Sequence, residues 1–314
     1  MTTLLQSTRE ISPALVEQLR TVSPIVEMGA YELLWLQDKA TTFRTLARKF
    51  QAAPFCVPSD FVDPAQAEDT GRKVAQLINE ASGRFGIRLH GAGEYPPTLR
   101  DAEYPIELLY FQGHWELIER PSLAVVGTRD PSPEGVRRTR QIVRELIADG
   151  FLVTSGLAKG IDTTAHQSAI EAGSQTIAVI GTPLTENYPR ENAELQRLIA
   201  REHLLLSQIP VLRYSQQDYR MNRLFFPERN ITMSALTLGT IIVEAGETSG
   251  ALIQARNALK QRRKLFILDS CFKRSDLTWP ARFEKMGAVR VRDFADIRKN
   301  LAPPPTDHRR PGPA

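Results

Sequence analysis

Cysteine is nearly absent: Cys56 and Cys271 are the only two in 314 residues. A pair so far apart makes neither a disulfide framework nor a metal-ligand motif, so both are read as small, partly buried side chains. Histidine is almost as scarce, five in all, and only His166 lies near a motif, where it is read as packing or capping on a helix. No run approaches the roughly eighteen uncharged apolar residues of a membrane span, and the start MTTLLQSTRE lacks a basic region leading into an apolar one. The chain is therefore expected to be cytoplasmic, with no membrane partner. A Walker lysine loop is missing, GAGEYP breaks the glycine pattern of a dinucleotide loop, and nothing resembles a hydrolase elbow. No cofactor and no metal are expected.

At 42% hydrophobic and 24% charged residues, the chain can bury a large core and is expected to fold as two domains. Its formal charge of +4 is modest for a DNA-binding protein, yet its 40 basic residues are 31 Arg and 9 Lys. An arginine excess suits planar, bidentate recognition of phosphate or stacking on bases, although high-GC codon usage accounts for it equally well.

From about residue 10 to 80, PALVEQLRTV, AYELLWLQDKATTFRTLARKF and AEDTGRKVAQLINEA carry apolar residues at spacings of three and four with prolines between them. This predicts a small all-helical domain over residues 1–85. Arg88 to Gly113, rich in Gly, Pro and Tyr, reads as a connector ending in a strand, IELLYFQG. After Ser122, short apolar runs alternate with longer amphipathic ones. LAVVG, FLVTSG, TIAVIG, LLLSQI, GTIIVEA, KLFILD and AVRVR read as strands covered on both faces, so residues 86–300 are predicted to be an α/β domain with a mostly parallel sheet flanked by helices. In the first helix after a strand, Ser132 is placed as N-cap, Pro133 as first helical residue and Gly150 as terminator, with Arg137, Arg138, Arg140 and Arg144 toward solvent. Residues 301–314, LAPPPTDHRRPGPA, read as a disordered Pro-rich tail.

In an open parallel sheet, ligands bind beyond the carboxyl ends of the strands. Five segments there stand out: GTRDPSPEG from Gly127, SGLAKGID from Ser155, GTPLTENYPREN from Gly181, FFPERN from Phe225 and EAGETSGAL from Glu244. All are read as loops. They offer glycines, hydroxyls and arginines in place of a catalytic array, and Thr128 with Arg129 is expected to hold an anion. Glu244 and Glu247 offer a carboxylate pair for acid–base chemistry; a carboxylate ending a strand serves equally to fix its neighbouring loop.

The succession VVGTRDPSPEG, TSGLAKGIDTTAH, TIAVIGTPLTENYPRENAEL, FPERNITMSALTLGTIIVEA and TSGALIQARNAL resembles the DNA-processing protein A family, also called Smf, over about residues 93 to 290. The resemblance implies an extended Rossmann-like fold that binds single-stranded DNA without sequence preference. It also implies a homodimer that loads the recombinase RecA during natural transformation or recombination. Carried onto this sequence, the family's motifs fall on Gly127, Thr128 and Arg129; on Ser155, Gly156, Leu157, Ala158, Lys159 and Gly160; on Tyr188, Pro189, Arg190 and Asn192; and on Phe226, Pro227, Arg229 and Asn230. The basic residues among them are expected to meet phosphates, and Tyr188, Phe225 and Phe226 to offer faces for bases.

Three departures accompany the match. Ile231 stands where the family usually has a second arginine, LDSCFKRSDLTWP replaces a proline-glycine turn, and the chain is expected to be a stand-alone variant without the C-terminal winged helix of many members. These fit a specialised relative serving phage defence or regulating a toxin, with a genomically linked partner protein. The expected function is non-catalytic DNA binding. Two other readings compete with it: a nucleotide-binding sensor, and a nucleotide N-glycosidase of the related lysine-decarboxylase-like enzymes, whose Pro-Gly-Gly loop is missing here.

Overall fold

The computed structural model describes residues 22–301 apart from 101 and 103. PALVEQLRTV, except its last residue, and the Pro-rich segment after Leu301 lie outside the described residues.

Three helices open the described chain. α1 (Pro24–Gln37) starts behind the N-cap Ser23, and α3 (Pro64–Ser82) behind the N-cap Asp63, each with proline at the first helical position, where its missing N–H costs nothing. Between them, α2 (Phe43–Ala52) is held by a reciprocal Thr42–Thr45 capping box. The sequence-predicted helical segment is thus present.

Then follow β1 (Gly86–Leu89), β2 (Leu108–Gly113), β3 (Ser122–Val126), α4 (Pro133–Ala148), β4 (Leu152–Ser155), α5 (Ile161–Glu171), β5 (Thr176–Ile180), α6 (Ala193–Glu202), β6 (Leu204–Ser207), α7 (Phe225–Leu236), β7 (Gly239–Ile242), α8 (Ala251–Lys260), β8 (Lys264–Leu268) and β9 (Val289–Val291). They form one sheet in the order β1-β2-β6-β5-β4-β3-β7-β8-β9. The seven strands from β6 to β9 in that order run parallel, while β1 and β2 pair antiparallel at one edge. This is the extended Rossmann-like architecture, a mostly parallel sheet flanked by helices with a helical segment before it. All the predicted strands are present, but β1 is not among them and runs into the start of the stretch read as a connector. Its four residues GIRL are too few for the Ile87–Leu89 alternation to stand out, and Arg88 lies over the rings of Phe111 and Trp115 at 4.7 and 4.5 Å.

Strand pleating sends Leu123 and Val125 to one face, packed with Ile142, Val143 and Leu146 of α4, and Ala124 and Val126 to the other. That second face shares one continuous buried cluster with Tyr31, Leu34 and Trp35 of α1 and Phe43 of α2. The helical segment therefore sits on the sheet through apolar contact. Ser132, Pro133 and Gly150, at φ 84°, occupy the predicted cap positions of α4.

β3 is the switch point. From it the chain steps through β4, β5 and β6 on one side and returns to β7 on the other. The crevice above such a point, outside the carboxyl ends of the strands, is where an open α/β sheet places its ligands.

Candidate nucleic-acid interface

A cleft of 670 Å³ opens above β3 and β7. All five motifs reach it: Gly127, Thr128 and Arg129 after β3; Ala158 and Asp162 after β4; Tyr188 after β5; Phe226, Pro227, Arg229 and Asn230 of α7; and Gly246 and Thr248 to Ala251 after β7. A second groove of 520 Å³ adjoins it, lined by Arg129, Lys159, Tyr188, Pro189, Arg190 and the acidic Glu191. Arg129, Ala158 and Tyr188 border both.

The floor is made of buried polar groups bonded to one another. Arg229, 6% exposed, turns its guanidinium inward, and Nη1 donates to the carbonyls of Gly156 and Val179. Glycine at position 156 leaves room for that guanidinium, which a Cβ there would have to displace. Asp162 accepts from the amides of Gly156 and Ala158 at 3.1 and 3.4 Å. Burial pushes its carboxyl up to about 6, against the pull of the Arg229 charge and the two amides. Burial likewise brings Arg229 down to about 10, so it stays cationic at neutral pH. Asn192 donates to the Leu157 carbonyl at 2.9 Å and to Thr163 Oγ1 at 2.8 Å. Those bonds hold Leu157 at φ 57°, a conformation that costs a branched side chain free energy. Ser155 Oγ donates to the Val125 carbonyl at 2.7 Å. Gly160, at φ 86°, lets the turn into α5 press against the backbone of Thr128 and Arg129, where a Cβ would lie 2.5 Å from the Thr128 oxygen.

The rim is different. Arg129, Lys159 and Arg190 are exposed and make no ion pair with other described residues. Phe226, half-buried, lies 5.2 Å from the Tyr188 ring at 53°, so the two rings form a bent aromatic wall.

Several expectations change here. FFPERN is not a loop but the first six residues of α7, with Pro227 in the first turn, where it is tolerated because first-turn amides have no intrahelical partner. Phe225 offers no face to a base: its ring is enclosed by Trp35, Phe43 and Tyr214, at 5.9, 6.0 and 6.2 Å. Arg229 has its guanidinium engaged by carbonyls and forms part of the floor rather than an exposed phosphate contact. Asn192 and Ser155, both buried, serve the loops. His166 packs, with Nδ1 2.8 Å from Thr176 Oγ1, and burial drives its ring down to about 3, so it is neutral. Glu244 fixes its neighbouring loop, accepting from Ser132 Oγ at 2.8 Å, and Glu247 accepts from the Thr278 amide at 2.9 Å. Cys271 is buried and Cys56 half-buried.

Sequence reasoning missed Tyr219 and Arg223, which line the cleft from the short helix Tyr219–Asn222 and its C-cap ahead of α7. Tyr219 is 63% exposed, with the Arg223 guanidinium 6.0 Å from its ring. The aromatic beside arginines in QQDYRMNRL was a usable signal. Among the described residues no group of three or more His, Cys, Asp or Glu is placed to hold a metal ion, and no helix is long and apolar enough to cross a membrane.

Known proteins resemble this chain in sequence and fold. DNA processing protein DprA of Streptococcus pneumoniae is 37% identical over 174 residues, 55% of this chain and 59% of that protein. The chain thus spans less than two thirds of that relative's length. The solved structure of DNA processing protein A from S. pneumoniae superposes with a TM-score of 0.64 at 26% identity, covering 93% of this chain and 99% of that one. A Helicobacter pylori DNA processing protein A, described for its single-stranded DNA binding mode, superposes at 0.59 with 27% identity over 69% of this chain and 95% of its own. Residues 86–302, the sheet with every motif of the cleft, match the family described as DNA recombination-mediator protein A, and the chain belongs to that family.

Proposed function

We propose that this chain binds single-stranded DNA without sequence preference, along the groove and cleft above β3, β4, β5 and β7. The observation that carries it is the rim: Arg129, Lys159 and Arg190 stand exposed around one groove, with the rings of Tyr188 and Phe226 beside them. Cations that track a phosphate backbone beside aromatics on which any base can stack are the chemistry of sequence-tolerant single-strand binding. The H. pylori relative, described for its single-stranded DNA binding mode, supports the same reading.

In this reading the contacts are Arg129, Lys159 and Arg190 for phosphates and Tyr188 and Phe226 for bases, with Arg223 and Tyr219 added. Gly127, Thr128, Gly160 and Asn230 border the strand's path. Of residues 1–85, the described helices from Pro24 to Ser82 act as a unit seated on the Rossmann-like unit of 86–300. The protein works in the cytoplasm in DNA processing and recombination, as a homodimer, with RecA or a genomically linked protein as its partner. It does so without catalysis, a reading supported by the engagement of Glu244 and Glu247 with Ser132 and Thr278 and by the buried, neutral His166.

Titration of labelled oligothymidine over a salt series tests this. Saturable binding is expected, with a log–log salt slope of about −0.7 for each phosphate engaged. Saturation by a mononucleotide with no retention of the oligonucleotide would replace the DNA reading with that of a nucleotide sensor. Release of base or phosphate beyond a Glu244→Gln, Glu247→Gln control would overturn the non-catalytic part.

A further inference from the structure

Behind the aromatic wall of the cleft sits a carboxylate with no part in it. Glu32 of α1 is fully buried and accepts from Tyr110 Oη at 2.6 Å, from the Val211 amide at 2.7 Å and from the Leu212 amide at 2.9 Å. Val211 and Leu212 begin the short helix Val211–Gln216, so the carboxylate caps that turn from another part of the chain. The other end of the segment is gripped as well, because Phe225 is enclosed by Trp35, Phe43 and Tyr214. Between these two anchors lie Tyr219 and Arg223, and the next residue after the second anchor is Phe226.

Past Arg213 the side-chain bonds of this stretch are internal, such as Gln217 to Asn222 at 2.7 Å and Asn222 to the Tyr214 carbonyl at 3.0 Å. Its outer side carries the exposed Tyr219, Met221 and Leu224. The front wall of the cleft is therefore fastened from behind by the helical segment: by Glu32, by the Lys39 carbonyl that accepts from Arg213 Nη2 at 2.5 Å, and by the rings around Phe225.

We propose that Glu32 is a positioning residue for the nucleic-acid cleft: by capping Val211–Gln216 it sets the wall that carries Tyr219, Arg223 and Phe226, and so links the seating of the helical segment to DNA affinity. This rests on the DNA-binding reading above. Any partner that shifts α1 would then change affinity without touching the rim cations.

Glu32→Gln tests it. Burial holds this carboxyl up near 7, so the neutral amide is a tolerable replacement for folding. Its NH₂ group can only donate, so one of the two wall amides, which bond to different oxygens of Glu32, loses its acceptor. Tyr110→Phe is the comparison, since it removes a bond to the same carboxylate and leaves the wall amides capped. Glu32→Gln should speed hydrogen exchange over residues 211–226 while the sheet amides stay protected. It should also weaken oligothymidine binding roughly three- to tenfold, the range for changes that act without touching the ligand, with the salt slope unchanged. The loss should shrink when combined with Phe226→Ala and persist in full when combined with Arg129→Ala.

Unchanged exchange over 211–226, an equal loss in Tyr110→Phe, or equal additivity with both partners would overturn the proposal. Should the parent protein bind no oligothymidine, the DNA reading falls, and the exchange result alone still decides whether Glu32 sets the wall.

Discussion

The floor and the rim of the cleft are drawn from the same motifs and built on opposite chemistry. Arg229 is buried, its guanidinium donating to two carbonyls and its charge pulling on Asp162. Arg129, from the motif after β3, is exposed and makes no ion pair with other described residues. A buried cation contributes through what its loss would leave uncompensated; an exposed one contributes almost nothing until an anion arrives. Motif residues thus separate into those that hold the loops in place and those that the loops present.

The largest effect expected from this difference belongs to Arg229→Ala. It leaves the Gly156 and Val179 carbonyls unbonded and removes the cation that holds down Asp162, so unfolding free energy should fall by about 3–5 kcal/mol. Denaturant unfolding with an unchanged m-value measures it. A loss of DNA affinity with stability intact would move Arg229 from the floor to the rim.

Next in size is the contrast between two adjacent aromatics. Phe225→Ala empties a core site among Trp35, Phe43 and Tyr214 and should cost about 3–5 kcal/mol of stability. Phe226→Ala should instead take about 1–3 kcal/mol from single-strand binding, the worth of one base stack. Equal stability losses, or equal affinity losses, would erase the distinction.

Asp162 gives a pH signature of the floor. Its carboxyl stands at about 6 in the folded protein against 3.8 in an unperturbed one. Between those values the folded state binds the proton more tightly than the unfolded chain. Its contribution to stability is therefore full below about 3.8 and is lost as pH rises through about 6. Subtracting an Asp162→Asn profile from the parent should show a decline across that window. Arg229→Lys, which keeps the charge and loses the planar fork, should leave the midpoint nearly in place while still lowering stability.

How much of this was legible beforehand follows the same division. Periodicity revealed the parallel strands because both of their faces are covered, which makes TIAVIG and KLFILD continuous apolar runs. It missed β1, a four-residue edge strand in which only Leu89 is buried and whose Arg88 is accommodated by two aromatic rings. The positions of the motifs after the strands located the cleft, since topology alone directs those loops to one end of the sheet. Local sequence could not tell which arginine turns inward. That depends on Gly156, 73 residues away from Arg229, leaving room for the guanidinium. Phe225 was misread for the same reason: the rings that enclose it come from α1 and α2 and from Tyr214.

The smallest effect is the most discriminating. If Arg129 meets a phosphate, Arg129→Ala should weaken binding about equally for every sequence, and the salt slope should become shallower by about 0.7, one released counterion on a single strand. Arg137→Ala is the control. Arg137 is also exposed, but it lies on α4, paired with Glu134, and borders neither groove. Folding should barely change in either variant, because an exposed arginine contributes less than about 1 kcal/mol. General attraction of a basic protein for a polyanion would make the two variants lose affinity alike, whereas a built phosphate site makes only Arg129→Ala lose it. Parent-like binding by Arg129→Ala would show that the rim beside β3 is not where the strand's backbone runs, and would leave Lys159 and Arg190 across the groove as the cations to remove next.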